Sequence, residues 1–368
     1  DCVEFDEDVY RALGQEAKRL WFAFMPSGRG AIDYFYQRLP DGQRTRRLAV
    51  ELIDAGAMYE HFPYPLEHLT GRLTLDPNGV TLENITAHYP DSRRITLNGN
   101  VSASEDRWPE FSIRVQAEQI PVDAALIDAM PKAQQTFFEQ LDLEATATMD
   151  VEVFPDATGQ RPLDYTAHFL VEGPRLVYAG FAVPLENVRI AADLTQDAVL
   201  LREFSGHRGG GQVSMRGWIV GAGQEAGRPG LCLDMEAKEF DLDETFWSAA
   251  ESEIRQLPPA LRIGGPVTVH GHWSRNMPSD QCMQMKLTVE CRDNPILIEG
   301  TESGRASGTV RFEEGRVELD NFKIVDMVLN PSLAKVMPVK AEHAYQGVGV
   351  SGWVDMVIPS AHLRLDEE

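Results

Sequence analysis

His270-Gly271-His272 is the best opening for metal chemistry in this sequence. On a strand, residues two apart share a face, so the two imidazoles would stand about 7 Å apart. A zinc site needs further ligands at a recurring spacing, and none follows. The pair therefore reads as two polar-face histidines beside Trp273. Gly209-Gly210-Gly211 follows His207-Arg208 and has the flexibility of a phosphate loop. It lacks the Lys-Ser/Thr pair and the strand-to-helix setting that such a loop needs, so it reads as a hairpin turn. Gly304-Arg305-Ala306-Ser307-Gly308 places a serine among glycines, but without nucleophile-elbow spacing and ahead of a hairpin, not a helix. The carboxylates alternate with apolar residues and read as a solvated face. No paired acids, Ser/His/Asp order or Cys/His arrangement stands out. The expectation is a non-enzymatic protein with no cofactor and no metal.

Charge narrows the partners. Lys and Arg number 34 against 57 Asp and Glu, a net charge of -23. That argues against nucleic acid, which requires clustered cations, and against broad adhesion to an anionic membrane. A 43% hydrophobic content allows a sizeable core. No run approaches the ~18 apolar residues of a spanning helix. The chain opens Asp1-Cys2, without Met or a signal-peptide core, and reads as an internal fragment or processed form whose anchor lies elsewhere. Cys2, Cys232, Cys282 and Cys291 make no disulfide framework. Cys291 continues the apolar set Leu287, Val289, whereas Cys282 alternates with Gln284, so free thiols are expected.

The elements are strands, and they repeat. Gly71-Arg-Leu73-Thr-Leu75, a Pro-Asn-Gly turn and Val80-Thr-Leu82-Glu-Asn-Ile85 form a hairpin pattern. Gly308-Thr-Val310-Arg-Phe312, then Val317-Glu-Leu319-Asp-Asn-Phe322, repeats it with the same internal spacing. A degenerate middle copy lies at Ala192 to Leu201. Phe62-Pro-Tyr-Pro65-Leu66-Glu67 recurs as Phe181-Ala-Val-Pro184-Leu185-Glu186, 119 residues later. Each hairpin is followed by a glycine-bearing strand, at Gly99, Gly217 and Gly352. Phe111, Ile113 and Val115 match Leu231, Leu233 and Met235 at an offset of 120, and Asp123 matches Asp243.

Asp8, Asp123 and Asp243 sit where helix N-caps are wanted. Apolar spacing predicts a helix through Val9, Leu13, Leu20 and Phe24, and another through Phe246, Ala250, Ile254 and Leu257. Pro131 and Pro258-Pro259 keep the helices short. The rest is period-2, roughly five or six strands per helix. The predicted fold is mainly β with short helices: a long antiparallel curved sheet, a repeating β-groove, built from three helix-plus-strands repeats. The repeats span 1–110, 111–230 and 231–368, the third with an inserted loop near 325–347. Alternation in nearly every strand makes one face apolar and the other wet. A sheet of this length coils, splits or closes.

The pattern Gly-x-Leu-x-Leu…Gly-Val-x-Leu-x-x-Ile…Leu-x-Gly-x-Val, at Gly71 to Val101 and Gly308 to Val354, resembles the AsmA-like superfamily of bacterial envelope proteins, with its TamB- and YhdP-like members. These are similar to repeating-β-groove, bridge-like lipid-transfer proteins. The resemblance implies a periplasmic segment that carries phospholipid between membranes in an apolar trough, in the service of outer-membrane biogenesis. Its partners would be phospholipid or another long apolar ligand, further repeats of the same chain, and envelope membrane proteins. Two departures are the regularity of the helices and the lack of an anchor in this stretch.

The expected groove lining is Leu73, Leu75, Val80 and Leu82 on the first hairpin, with Ile95 and Leu97 on the next strand. Phe111, Ile113 and Val115 follow, and Val310, Phe312, Val317 and Leu319 lie on the last hairpin. Trp21, Phe24, Phe137, Phe138, Phe246 and Trp247 fall on or beside the helices and read as core packing, or as plugs touching bound lipid. The apolar insertion from Met327 to Met337 reads as a cap or flap. The alternative reading is a closed β module that holds a partner and no ligand.

Overall fold

A computed structural model describes residues 2–38, 44–60, 62–102, 110–130, 132, 135, 138–158, 163–179, 181–220, 230–253, 261–275, 284–298, 300–313, 316–328 and 353–364. The chain is mainly β, and its strands form a long, open antiparallel sheet with few short helices. It divides into two compact units, 1–173 with 191–197, and 174–190 with 198–368.

In the first unit β1 (Cys2–Glu4), β2 (Ser27–Arg38), β3 (Arg44–Tyr59), β4 (Phe62–Asp76), β5 (Gly79–His88), β6 (Arg94–Ser102), β7 (Phe111–Pro121) and β8 (Leu141–Phe154) pair in chain order. The strands β9 (Asp164–Tyr178) and β10 (Phe181–Thr195) follow. In the second unit β11 (Ala198–Arg208), β12 (Gly211–Val220), β13 (Gly230–Asp241), β15 (Pro266–Arg275), β16 (Gln284–Ile298), β17 (Thr301–Glu313), β18 (Arg316–Val328) and β19 (Trp353–Arg364) pair in succession. Short β14 (Leu261–Ile263) lies beside the end of β16.

Turn chemistry explains the meander locally. Asp76 accepts a hydrogen bond from the Asn78 N–H (2.7 Å), closing the predicted turn between β4 and β5. Gly209-Gly210 joins β11 to β12, where Arg208 faces Gly211, as expected of a hairpin. The two predicted hairpins also share a bulge. Gly71 and Gly308 have φ of 121° and 138°, and an added Cβ would lie 2.4 Å from Asn84 O and 2.6 Å from Phe322 Cα respectively. Asn84 and Asn321 both take left-handed backbone, at φ 51° and 49°. Asparagine tolerates that region and glycine suits the close approach.

The fully described helices are α1 (Glu7–Ala12), α2 (Gln15–Phe24), α3 (Ala124–Ala129) and α4 (Glu244–Glu253). Asp123 and Asp243 cap as predicted, each accepting from the backbone N–H three residues on, at 3.0 and 2.9 Å. The first cap is Asp6, not Asp8. Asp6 accepts from the N–H groups of Asp8 and Val9, and Asp8 stands in the first turn. The reason lies upstream: Phe5 packs on the core and its N–H bonds Gly28 O, which holds the chain extended up to Asp6. The single helix expected from Val9 to Phe24 is broken, because Leu13 and Gly14 take extended backbone. Pro131, Pro258-Pro259, the insertion from Leu329 to Gln346 and Gly352 lie outside the described residues.

The core of the first unit is at one end of the strands. Ala55, Leu69, Ile85, Ala87, Ile95, Ala117 and Ile120 are buried beneath Leu126 and Ala129 of α3. In the second unit Ile296, Ile298, Ala306, Phe322 and Ile324 form a separate buried cluster.

Candidate apolar ligand-binding face

Register carries the expected lining residues into rows. Across β3 to β7, Leu48, Leu75, Val80, Val101 and Phe111 are successive cross-strand partners. The next row is Val50, Leu73, Leu82, Gly99 and Ile113, and it ends on Val153 of β8. Ile85, Leu97, Val115 and Val151 make a third. At about 4.8 Å between strands, a five-strand row is ~19 Å long, comparable to an extended acyl chain. The face is continuous because residues directly opposite in a ladder share a side of the sheet.

Burial divides this face. Ile95 is 7% exposed and belongs to the core under α3. Leu82, Leu97 and Val115 are half-buried and pack against that core. Leu73, Leu75, Val80, Phe111 and Ile113 are also half-buried but lie beyond it, toward the turn end of the strands. In the second unit, Val213, Ala237, Val269, Val289, Val310 and Leu319 form one row; Met215, Met235, Gly271, Leu287 and Phe312 form another. Val310 and Leu319 pack against the buried cluster there. Val317 pairs with Phe312 through the backbone, and its side chain lies outside the described residues. Leu48, Val50 and Val101 belong to the rows but were absent from the expected lining. Their period-2 pattern was visible; their partners depend on strand register.

The opposite face is a lattice of cross-strand ion pairs. Arg94 donates to both carboxylate oxygens of Glu118 at 2.9 Å. Arg114 forks onto Asp150, holding that carboxyl below its usual range and raising its own pKa. His270 and His272 share a face, as predicted, but each meets its own acid across β13: Glu236 at 3.7 Å and Asp234 at 2.8 Å. His68 with Asp54 and His168 with Asp193 repeat the arrangement. Among the described residues, no group of three or more His, Cys, Asp or Glu is placed to hold a metal. Ser307 Oγ accepts the Asp293 N–H at 2.8 Å and so props the β16 bulge. No family model, curated protein or solved structure matches the chain.

The helix aromatics pin the helices to the sheet. Phe24 stacks on Tyr59 (5.0 Å), Trp21 meets Phe5 edge-on, and Phe246 meets Phe240 edge-on. Trp247 donates its indole N–H to Ile263 O at 2.9 Å. Phe138 is half-buried, and Phe137 lies outside the described residues. None of the described helices is long and apolar enough to cross a membrane.

Cys2, Cys232 and Cys291 are free thiols, and Cys282 lies outside the described residues. Cys291 is 3% exposed, and burial pushes its pKa up to about 11. Only about a thousandth of it is thiolate at pH 8. Mass-mapped alkylation at pH 8 should label exposed Cys2 readily and Cys291 only after unfolding. Equal labelling of both in the native protein would contradict the burial of β16.

Proposed function

We propose that this chain binds phospholipid, or another long apolar molecule, along the uncovered part of its apolar sheet face. The carrying observation is the row Leu48, Leu75, Val80, Val101, Phe111, which spans five strands outside the buried core of its unit. Acyl chains against these rows lose water contact at ~25 cal/mol per Å² of apolar area. No strong single site is needed, so the ligand slides along a continuous lining. The headgroup stays at the polar rim, and no bond is made or broken.

The resemblance to AsmA-like envelope proteins supports the same reading and extends it. On that reading the chain is a periplasmic segment of a larger envelope protein that moves phospholipid between membranes. Its three helix-plus-strands repeats draw support from matched backbone at the repeat offset. His68 and Asn187 are left-handed at φ 49° and 50°, and so are Gln119 and Glu239 at 57° and 49°. A long, curved antiparallel β sheet is compatible with such a groove.

Native mass spectrometry of the purified chain, with solvent extraction, tests the proposal. Adducts recovered as phospholipid are expected. A bare mass that persists after incubation with phospholipid would overturn it in favour of a structural module.

A further inference from the structure

For most of its length β2 is an edge strand. Its inner side pairs with β3 from Ser27 to Arg38, but on its outer side β1 reaches only Arg29 to Ala31. Among the described residues no strand pairs with the outer side of Ile32–Arg38. By contrast, β3 to β7 each pair on both sides. A free edge presents unpaired backbone N–H and C=O groups, which chains normally guard with Lys, Pro or a bulge. Ile32–Arg38 has no Lys, Pro or Gly, and its pairing to β3 runs without a bulge. Its one acid, Asp33, and its one base, Arg38, cancel, in a chain of net charge -23.

Aromatic side chains crowd this edge. Tyr34, Phe35 and Tyr36 are 60%, 47% and 51% exposed. Among the described residues, only here do three consecutive large apolar side chains stand exposed. Tyr34 pairs with Leu48, so it heads the apolar row that runs on through Leu75 and Val80. Phe35 is on the wet face with Asp33, whose partner Ala49 leads into Thr74, Thr81 and Asn100. A phenyl ring on the wet face of an edge strand has no cover on its open side, which marks a contact surface.

We propose that a second copy of this chain covers the edge, by antiparallel pairing of Ile32–Arg38 with the same segment of its partner. The segment is self-complementary. Its midpoint is Phe35, so a two-fold axis there uses the whole free length. Phe35 then faces its own copy and Tyr34 faces the other copy's Tyr36, aromatic pairs that stabilise cross-strand contacts. Antiparallel alignment sets the Asp33 end of each strand beside the Arg38 end of the other, so opposite charges meet. An axis normal to the sheet keeps the apolar face of one copy level with that of the other. The two sheets join by strand addition, and a two-fold contact closes at two copies. The pairing stands whether or not lipid occupies the apolar face.

Sedimentation velocity of the full chain over a concentration series tests it, with circular dichroism as the check on folding. A dimer is expected, and added salt should strengthen it by screening the net negative charge of the two copies. Phe35→Lys sets like charges face to face and should abolish the dimer, as should Phe35→Glu. Mixing those two variants should restore it as a heterodimer, because each lysine then faces a glutamate. Trp218→Lys changes an exposed aromatic on β12, which pairs on both sides, and should leave the dimer intact. In a Cys2→Ser background, Phe35→Cys should give a disulfide-linked dimer on oxidation, since opposed Cα atoms ~4.5–5.5 Å apart are within disulfide reach. Tyr34→Cys should not, because copies of residue 34 lie two positions out of step, at ~8 Å. A parent that stays monomeric, a dimer that survives Phe35→Lys, no rescue on mixing, or assemblies that grow beyond two copies would overturn the proposal.

Discussion

Leu75→Asp combined with Phe111→Asp is expected to remove co-purifying phospholipid while the chain stays folded. Both residues lie in the outermost row of the first unit, half-buried and outside the cluster under α3. A carboxylate there can still reach water, so the cost to folding is small. A bound acyl chain has no such escape, since it would desolvate the charge. Val115 is a poorer probe although it lies on the same face. It packs against the buried core, where aspartate would destabilise the fold directly. Lipid content by extraction and secondary structure by circular dichroism are read on the same sample. Unchanged lipid in the double variant would sink the assignment of these rows as the lining.

Asn294→Ala is expected to destabilise the second unit by about 2–5 kcal/mol. Asn294 is 1% exposed at the bulge of β16. Its amide donates to Gly264 O and Pro266 O, both at 2.8 Å, and its Oδ1 accepts the Arg292 N–H at 2.7 Å. Alanine leaves all three backbone groups short of a partner, and each buried orphan costs ~1–3 kcal/mol before water relieves part of it. Leucine keeps the volume but restores none of the bonds, so Asn294→Leu should be equally damaging. Hydrogen exchange should rise in β14, β15 and β16, while amides of β4 to β7, which rest on their own core, stay protected. Unchanged protection near Gly264 would mean that the amide does not hold that turn.

Much of this was readable in advance. Period-2 alternation identified many of the strands, such as β3 and β9, and marked their apolar positions. Asp-Pro-Asn-Gly announced the β4–β5 turn, and Asp123 and Asp243 announced two caps, because those signals act within a few residues. Asp6 displaced Asp8 because a cap is chosen by backbone conformation, which the packing of Phe5 imposed. Asn294 looked like one more polar residue in a strand. Its importance appears only where a bulge brings two carbonyls of a distant turn within reach. The bulges themselves, such as those between Leu82 and Ile85 and between Ala117 and Ile120, add a residue to one strand only. Each shifts every later pairing, and periodicity within one strand does not report that.

The amino-acid sequence by itself determined a mainly β chain with one apolar and one wet face, and it placed the first hairpin's turn and two of the helix caps. Those properties depend on side-chain order within single strands and turns. Tertiary structure decided which part of the apolar face packs beneath α3 and which part lies beyond that cluster. It also decided that Arg94 and Arg114 find acids on the neighbouring strand. Cover and charge pairing are relations between strands far apart in the chain. They are settled by register and by where the helices come to rest.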